Sequence, residues 1–466
     1  MMMKSAWLMA LTLAAAMGAG CQTYEPRPID AAEHARVFLS RTPDSAQLSA
    51  FAASLRSVAG REKDGFDLQD GVTLAEAEAV ALVFNAELRE ARERAGVTRA
   101  AAMHAGLWED PVLGVDLARI VQSVAHPFKA AAGVGLTLPV SGRLGVEKAH
   151  AGLNHEAELA RVAEREWAVR VALRRAWAQW TAWSLRAESA REYLARLEGV
   201  RSAVDAAERA GEMPRVEARL VRIEWAGRQA ELMGLEADLA AASLEILRYM
   251  GLSPTSPVTL IAAPLQGGSA EAESVGAGLG HPRIAVAAAE YAAAERALEL
   301  EIRRQYPDVT IGPGFGMEEG RDEFRLGLSV PLPLWNANRQ RIAEARAGRD
   351  AARARVESAV EGVLADLHAA RSRLDAARRR RRALEEAVVP LVEAQYADVR
   401  RAIELGEARA YVLLESLSRL HEARSKVIDA ALEEALAALR VVEMLGPAAD
   451  TPTRSTQGKP SEGGMP

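Results

Sequence analysis

GLSVPLPLWNANRQRIAEARA, residues Gly327–Ala347, decides how the rest of the chain is read. It opens on alternation. Phe324, Leu326, Leu328 and Val330 fall on every second position, which is the period of a strand with unlike faces. Pro331-Leu332-Pro333 then breaks the alternation, because proline cannot donate to a strand ladder. From Asn338 to Leu405 the stretch continues as an expected single long helix. A strand running through a short turn into a very long helix is a rare local pattern, and here it occurs twice.

GLTLPV, from Gly135, is the earlier copy of GLSVPL. Other landmarks share an offset of about 195 residues: Pro111 with Pro307, Gly211 with Gly406, and Gly251 with Gly446. An internal repeat of this kind dictates architecture. Each copy has the same order of helix, strand, strand, long helix, helix. The first repeat spans 73–251 and the second 281–446, with a loop-like Pro/Gly/Ser-rich join at 252–280.

In the first copy, Thr73 and Glu76 match a capping box at a helix expected to run to about Gly106. Pro111–Arg119 alternates, with Leu113, Val115 and Leu117 on one face and Gly114, Asp116 and Ala118 on the other. Phe128–Pro139 repeats this with Val134, Leu136 and Leu138. Val309, Ile311 and Phe315 mark the third strand. Gly142–Ala210 contains no proline and carries apolar or small residues at three-four spacing from Val146 to Val171. At 1.5 Å per residue such helices reach roughly 100 Å, the length of a tube wall rather than of a globular domain.

Strands of about ten residues with one apolar face suit a tilted membrane strand, which needs ~9–11 residues. Trp108, Tyr306 and Trp335 stand at the strand ends, where interfacial aromatics are expected. Four strands cannot close a barrel, and open edges cannot face lipid. If these are membrane strands, several copies must share one barrel; soluble hairpins under a helical lid are the alternative.

The balance of 58 Lys plus Arg against 64 Asp plus Glu leaves a net charge of −6, which argues against a nucleic-acid partner. Residues 1–20 read as a signal peptide, with Lys4 ahead of a short apolar run. Gly18-Ala19-Gly20 precedes Cys21, the only cysteine, as at a lipoprotein processing site where the cysteine becomes the acylated, palmitate-bearing N-terminus. An ordinary cleavage nearby is the alternative. Residues 21–72 are then a lipid-anchored extended segment, and 447–466 has the composition of a disordered tail.

Three quoted stretches resemble the TolC-type outer-membrane efflux proteins over about Thr73–Gly446. They are NAELREARERAGVTRAAAMHAGLWEDPVLGV from Asn85, HPRIAVAAAEYAAAERALELEIRRQYPDVTIGPG from His281, and the Gly327 stretch, whose form looks closest to the cation-efflux branch. Ala86 replaces the proline usual in the family. The resemblance implies a mainly α protein with membrane β. Four strands per chain would join a trimeric transmembrane β-barrel, and long antiparallel helices would form a periplasmic α-barrel. It further implies a homotrimer in the outer-membrane lipid that docks on a periplasmic adaptor and an inner-membrane pump of the resistance-nodulation-division type. The alternative is an adaptor or coiled-coil scaffold lipoprotein without a barrel.

The expected site residues follow from that placement. Leu113, Val115, Leu136, Leu138, Val309, Ile311, Leu326 and Leu328 would face lipid. The helix reversals at Gly211, Glu212 and Pro214, and at Gly406 and Glu407, would be the periplasmic tip and adaptor-docking turns. Asp205, Glu208, Asp398 and Glu404 there would form an acidic ring that favours cations, the alternative for each being a solvated helix face. The run Arg378–Arg382 points around its helix, as an ion-paired face would, and Trp177, Trp180 and Trp183 at spacing three suit helix packing. His150 and His155 are five apart, the wrong spacing for a shared metal on one helix face. No catalytic motif, metal site or cofactor is expected.

Overall fold

The computed structural model describes residues 23–42, 71–119, 121, 128–265, 277–318 and 321–447. The signal peptide, Cys21 and the tail after 447 lie outside the described residues. In chain order the elements are α1 (Ala31–Leu39), α2 (Leu74–Phe84), α3 (Ala86–Met103), β1 (Val112–Arg119), β2 (Phe128–Leu138), α4 (Arg143–Ala210) and α5 (Arg215–Met250). The second half adds α6 (Pro282–Arg303), β3 (Val309–Glu318), β4 (Arg321–Ser329), α7 (Arg339–Ala383), a π turn (Leu384–Val388), α8 (Val389–Glu404) and α9 (Ala410–Leu445).

Three expectations need correction. The segment 21–72 is not extended throughout, because Asp30 caps α1 by accepting from the Ala32 and Glu33 amides. The first helix of the repeat does not run unbroken to Gly106. It starts at the expected Thr73–Glu76 capping box but stops at Asn85, whose backbone leaves the helical region. The Asn85 side chain then accepts from the Glu87 and Leu88 amides and starts α3, while its amide donates to the Tyr249 carbonyl at 2.9 Å.

The third correction concerns the helix after Asn338. Pro390 lies inside it, and the helix is interrupted by the π turn just ahead of that proline. Proline has no N–H for the fourth residue back and its ring crowds that carbonyl. A π turn widens the helix by one residue and accommodates both faults. The packing face shows the same insertion. Leu367, Ala370, Leu374 and Ala377 are buried at steps of three and four, followed by half-buried Arg381 and Leu384. One step of five then leads to Val389, after which Val392, Tyr396, Val399 and Ile403 resume the steps of three and four. The extra residue is absorbed within one turn, so α8 keeps the face that α7 presents.

The elements stand as four columns side by side. The strands pair antiparallel in the order β1-β2-β3-β4. Below them α3 packs on α4, α4 on α6, and α6 on α7. Further down, α5 packs on α4, α4 on α9, and α9 on α7 and α8. Column one is therefore β1, α3 and α5; column two is β2 and α4. Column three is β3, α6 and α9, and column four is β4, α7 and α8. The stacked helices of columns one and three meet end to end through glycines. Gly251, after α5, has φ +71, and a Cβ there would lie 2.3 Å from the Phe84 carbonyl oxygen. Gly446, after α9, sits against the Gly280 carbonyl in the same way.

The core lies between columns rather than in one globule. The upper cluster packs Val80, Phe84 and Leu88 against Leu173, Trp177, Ile246 and Met250. The lower cluster packs Tyr193, Leu197 and Val204 against Val221, Leu414 and Leu417. Buried glutamates pin both long helices. Glu78 of α2 meets Arg170 at 2.8 Å and Arg174 more closely, and Glu434 of α9 meets Arg381 at 3.4 Å and Arg378 at 3.7 Å.

Candidate functional site: the strand sheet and the hairpin tips

The register puts all the expected lipid-facing residues on one side of the sheet. Leu113 lies opposite Val134, Leu136 opposite Ile311, and Leu138 opposite Val309. Ile311 lies opposite Leu328, and Pro313 opposite Leu326. Val115 is on the same face, two residues on from Leu113. Phe315 faces Phe324 further along. The charges on this face, Arg119 and Asp322, fall only at the end remote from the helices. β1 and β4 are exposed along their whole lengths, at 8 and 9 residues. Among the described residues, nothing covers the apolar face at β1 and β4. Trp108, Tyr306 and Trp335 are exposed at the helix-side end of the strands, and Trp335 is 91% exposed.

The opposite face carries almost no apolar side chain. Gly114, Gly133 and Gly314 lie in one row, and Gly312 lies opposite Gly327. Thr137 and Thr310 share a hydroxyl contact at 3.3 Å. At the far end Lys129 pairs with Glu318 across β2 and β3, and Arg325 reaches Glu318 at 3.3 Å and Glu323 at 2.7 Å. Sequence reading missed this charged network. Its signal was there, since the alternation that puts Leu326 on one face puts Arg325 on the other.

The two tip turns share one geometry. Gly211 and Gly406 have φ +75 and +74, a left-handed conformation that suits a residue without Cβ. The Glu212 amide donates to the Ala207 carbonyl at 2.9 Å, and the Glu407 amide to the Ala402 carbonyl at 2.8 Å. Both turns lie at the same end, because Met213 and Ala410 border one cluster. Pro214 immediately precedes α5.

The acidic residues at this end are not equivalent. Asp205 accepts from Arg222 at 2.8 Å, and Glu208 pairs with Arg222 and with Arg215. Glu404 meets Arg400 at 3.6 Å. Asp398, Glu212 and Glu407 are exposed at the surface. Arg222 was not recognised from sequence as a partner, because it reaches Asp205 and Glu208 only once the hairpin has folded back.

The fold is shared with solved outer-membrane channels. OprN, an outer-membrane channel, is 20% identical with a TM-score of 0.66, covering 87% of this chain and 97% of its own. VceC, an outer membrane protein of Vibrio cholerae, is 16% identical with a TM-score of 0.64, covering 80% and 96%. The open-state MtrE outer membrane channel of Neisseria gonorrhoeae is 16% identical with a TM-score of 0.65, covering 80% and 88%. Residues 277–447 match the family model described as outer membrane efflux protein. No curated protein matches the chain in sequence.

The joint between the two hairpins is a buried polar node. The Tyr193 ring of α4 stacks on His421 of α9 with centroids 4.6 Å apart. The Tyr193 hydroxyl meets Glu224 at 3.1 Å, and Arg228 links Glu224 and Glu231. Burial pushes the Tyr193 hydroxyl up to about 12. Burial, followed by the charge of Arg228, holds His421 below its ordinary value. His155 is held by the Thr98 hydroxyl at 3.0 Å, which is a packing contact between α3 and α4. The run Arg378–Arg382 is partly paired, with Arg380 on Glu433 and Arg381 on Glu385 and Glu434. Trp177 is buried and meets Trp180 edge-on at 5.7 Å, as the spacing suggested.

Proposed function

We propose that this chain is the outer-membrane channel subunit of a tripartite efflux system, a passive conduit from a periplasmic adaptor and inner-membrane pump to the exterior. The observation that carries the reading is the sheet, with one unbroken apolar face, one glycine and polar face, and two open edges. Three copies would close a barrel of twelve strands with the apolar face toward lipid and the glycine face toward the lumen. Closure satisfies the edge backbone groups, which lipid cannot do.

The helical columns then continue the conduit through the periplasm, and the Gly211–Pro214 and Gly406–Glu407 turns form the end that meets the adaptor. Acylation of Cys21 would add a lipid anchor to the barrel. The acidic tip residues support a cation-favouring ring only in part, because Asp205 and Glu208 are neutralised within the chain. Asp398, with Glu212 and Glu407, is what such a ring would rest on. The form of the Gly327 stretch supports a cation cargo and a pump of the resistance-nodulation-division type.

The test is Leu326→Arg, which sets a charge at the middle of the apolar face, opposite Pro313. A lipid-facing arginine at mid-bilayer costs ~2–4 kcal/mol. The variant is expected to be lost from the outer-membrane fraction, while Ser329→Arg on the opposite face is retained. Equal recovery of both variants from the outer membrane would refute the lipid-facing assignment.

A further inference from the structure

We infer that the inner face of α4 and α6 holds a resting site for an uncharged amphipathic organic molecule, in a recess of about 690 Å³ lined from α3, α4, α6 and α7. This rests on the channel reading above and adds a class of cargo to it. The Gly327 stretch supports a cation; the recess is built for something else. Its volume falls within the roughly 300–1,000 Å³ usual for small-molecule sites.

The recess lies on the side of the wall that continues the glycine face of the sheet. Arg143 and Arg161 are about five helical turns apart, so they share one face of α4. Arg143 meets Asp308 at 2.9 Å, and Asp308 stands two residues ahead of Thr310 on the glycine face. Arg161, which lines the recess, is thus in line with the face that the sheet turns to the lumen. Arg170 lies about two and a half turns beyond Arg161, on the far side of α4, and there it holds Glu78 of α2. α2 therefore covers the outer side of the wall, and the recess opens to the inside.

The lining selects the occupant. Arg161 meets Glu158 at 2.5 Å and Glu290 at 2.6 Å, and Arg355 stands 3.9 Å from Glu290. Two carboxylates thus face two guanidinium groups, and a bare cation would have to displace an arginine from its partner. Among the described residues, no three His, Cys, Asp or Glu side chains come together as a metal ion requires. Between the charges the lining is alanine, with Ala151 and Ala157 from α4 and Ala294 and Ala297 from α6. Asn154 and His150, also in the lining, meet at 3.3 Å. Burial, followed by the charge of Arg304, holds His150 below its ordinary value, which favours the neutral ring. An apolar surface with a few placed hydrogen-bonding groups is how proteins hold uncharged amphipathic molecules.

The experiment is equilibrium dialysis of the full chain, extracted from outer membranes in detergent, against chloramphenicol, an uncharged amphipathic probe. A detergent-only cell is subtracted, and the native mass is measured alongside. Ala294→Phe fills the recess, whereas Ala292→Phe adds the same ring on the other side of α6, in the groove lined by Leu153 and Leu298. The unaltered chain and Ala292→Phe are expected to bind alike, and Ala294→Phe to bind about tenfold more weakly or worse. Should Ala294→Phe not assemble, Asn154→Ala takes its place; it removes a hydrogen-bonding group at an exposed position and is expected to weaken binding several-fold. Undiminished binding in the deciding variant, or an equal loss in Ala292→Phe, would overturn the site. Binding of cobalt(II) alone that Glu290→Gln abolishes would overturn it too, by making the recess a cation site. A trimeric native mass with no chloramphenicol bound would overturn the recess and leave the channel reading standing. A monomeric native mass would overturn both.

Discussion

The long helix of the first repeat and its counterpart in the second hold the same place and are built differently. α4 runs 68 residues without a break. α7, the π turn and α8 cover the same path with one residue inserted and a proline at the insertion. α4 keeps a buried face as far as Val204, and α7 continues its own buried face into half-buried residues on α8. Helix length alone does not set the wall; the phase of the buried face does, and a single π turn restores phase where the residue count would lose it. The anchoring differs as well. Glu78 holds Arg170 at 2.8 Å and Arg174 more closely, whereas Glu434 accepts from Arg381 at a longer 3.4 Å and stands 3.7 Å from Arg378.

The largest expected effect comes from that anchoring. Glu78→Ala strands two partly buried arginines and is expected to cost ~3–5 kcal/mol, the loss typical of breaking a buried ion pair. Glu434→Ala should cost less, about 1–2 kcal/mol, because its pairs are longer and one of its arginines also meets Glu385. Thermal unfolding of the detergent-solubilised protein ranks the two, and an equal or reversed order would remove the distinction.

Proline placement sharpens the comparison next. Ala195 of α4 corresponds to Pro390 at the repeat offset, and no extra residue surrounds it. Ala195→Pro is expected to cost ~3 kcal/mol or more, as proline does inside a helix. Pro390→Ala is expected to change stability by less than ~1 kcal/mol and to keep the π turn, because the register of Val389 and Val392 still demands the inserted residue. A Pro390→Ala structure with a regular helix would show that the proline, and not the register, makes the turn.

The smallest effect belongs to the joint where the two hairpins meet. His421 stacks on Tyr193 and meets the Ser189 hydroxyl, with the charges of Arg228, Glu224, Glu231 and Glu422 near it. Its folded-state pKa is depressed, so the folded chain favours neutral imidazole. The stability this gives is present above the ordinary histidine value of roughly 6.5 and is lost as pH falls through the folded value, at up to ~1.4 kcal/mol per pH unit. His421→Phe, which keeps the ring stack, is expected to flatten the slope of unfolding temperature against pH below that value. An unchanged slope would move the acid sensitivity elsewhere.

Much of this was legible in the residues themselves. Alternation at Leu113, Leu136, Ile311 and Leu328 specified both faces of the sheet, because a strand's side chains have a fixed period of two. Gly211 and Gly406 marked the tips, because a tight reversal favours a left-handed residue. What was not legible depended on distant partners. Asn85 stops α2 with a cap that Tyr249, far along the chain, helps to hold. Arg222 neutralises Asp205 and Glu208 only through the folded hairpin. The break before Pro390 was readable in principle, since the proline itself signals it. Its consequence was not, because the shift of one residue has meaning only against α9.

The most direct test of the central claim is imaging of the outer-membrane extract in detergent, with the particle mass measured on the same sample. The account predicts a tube with a helical wall on the order of 100 Å long and a protein mass of three chains of 50.0 kDa. A soluble monomer or elongated dimer, absent from the outer membrane, would contradict it.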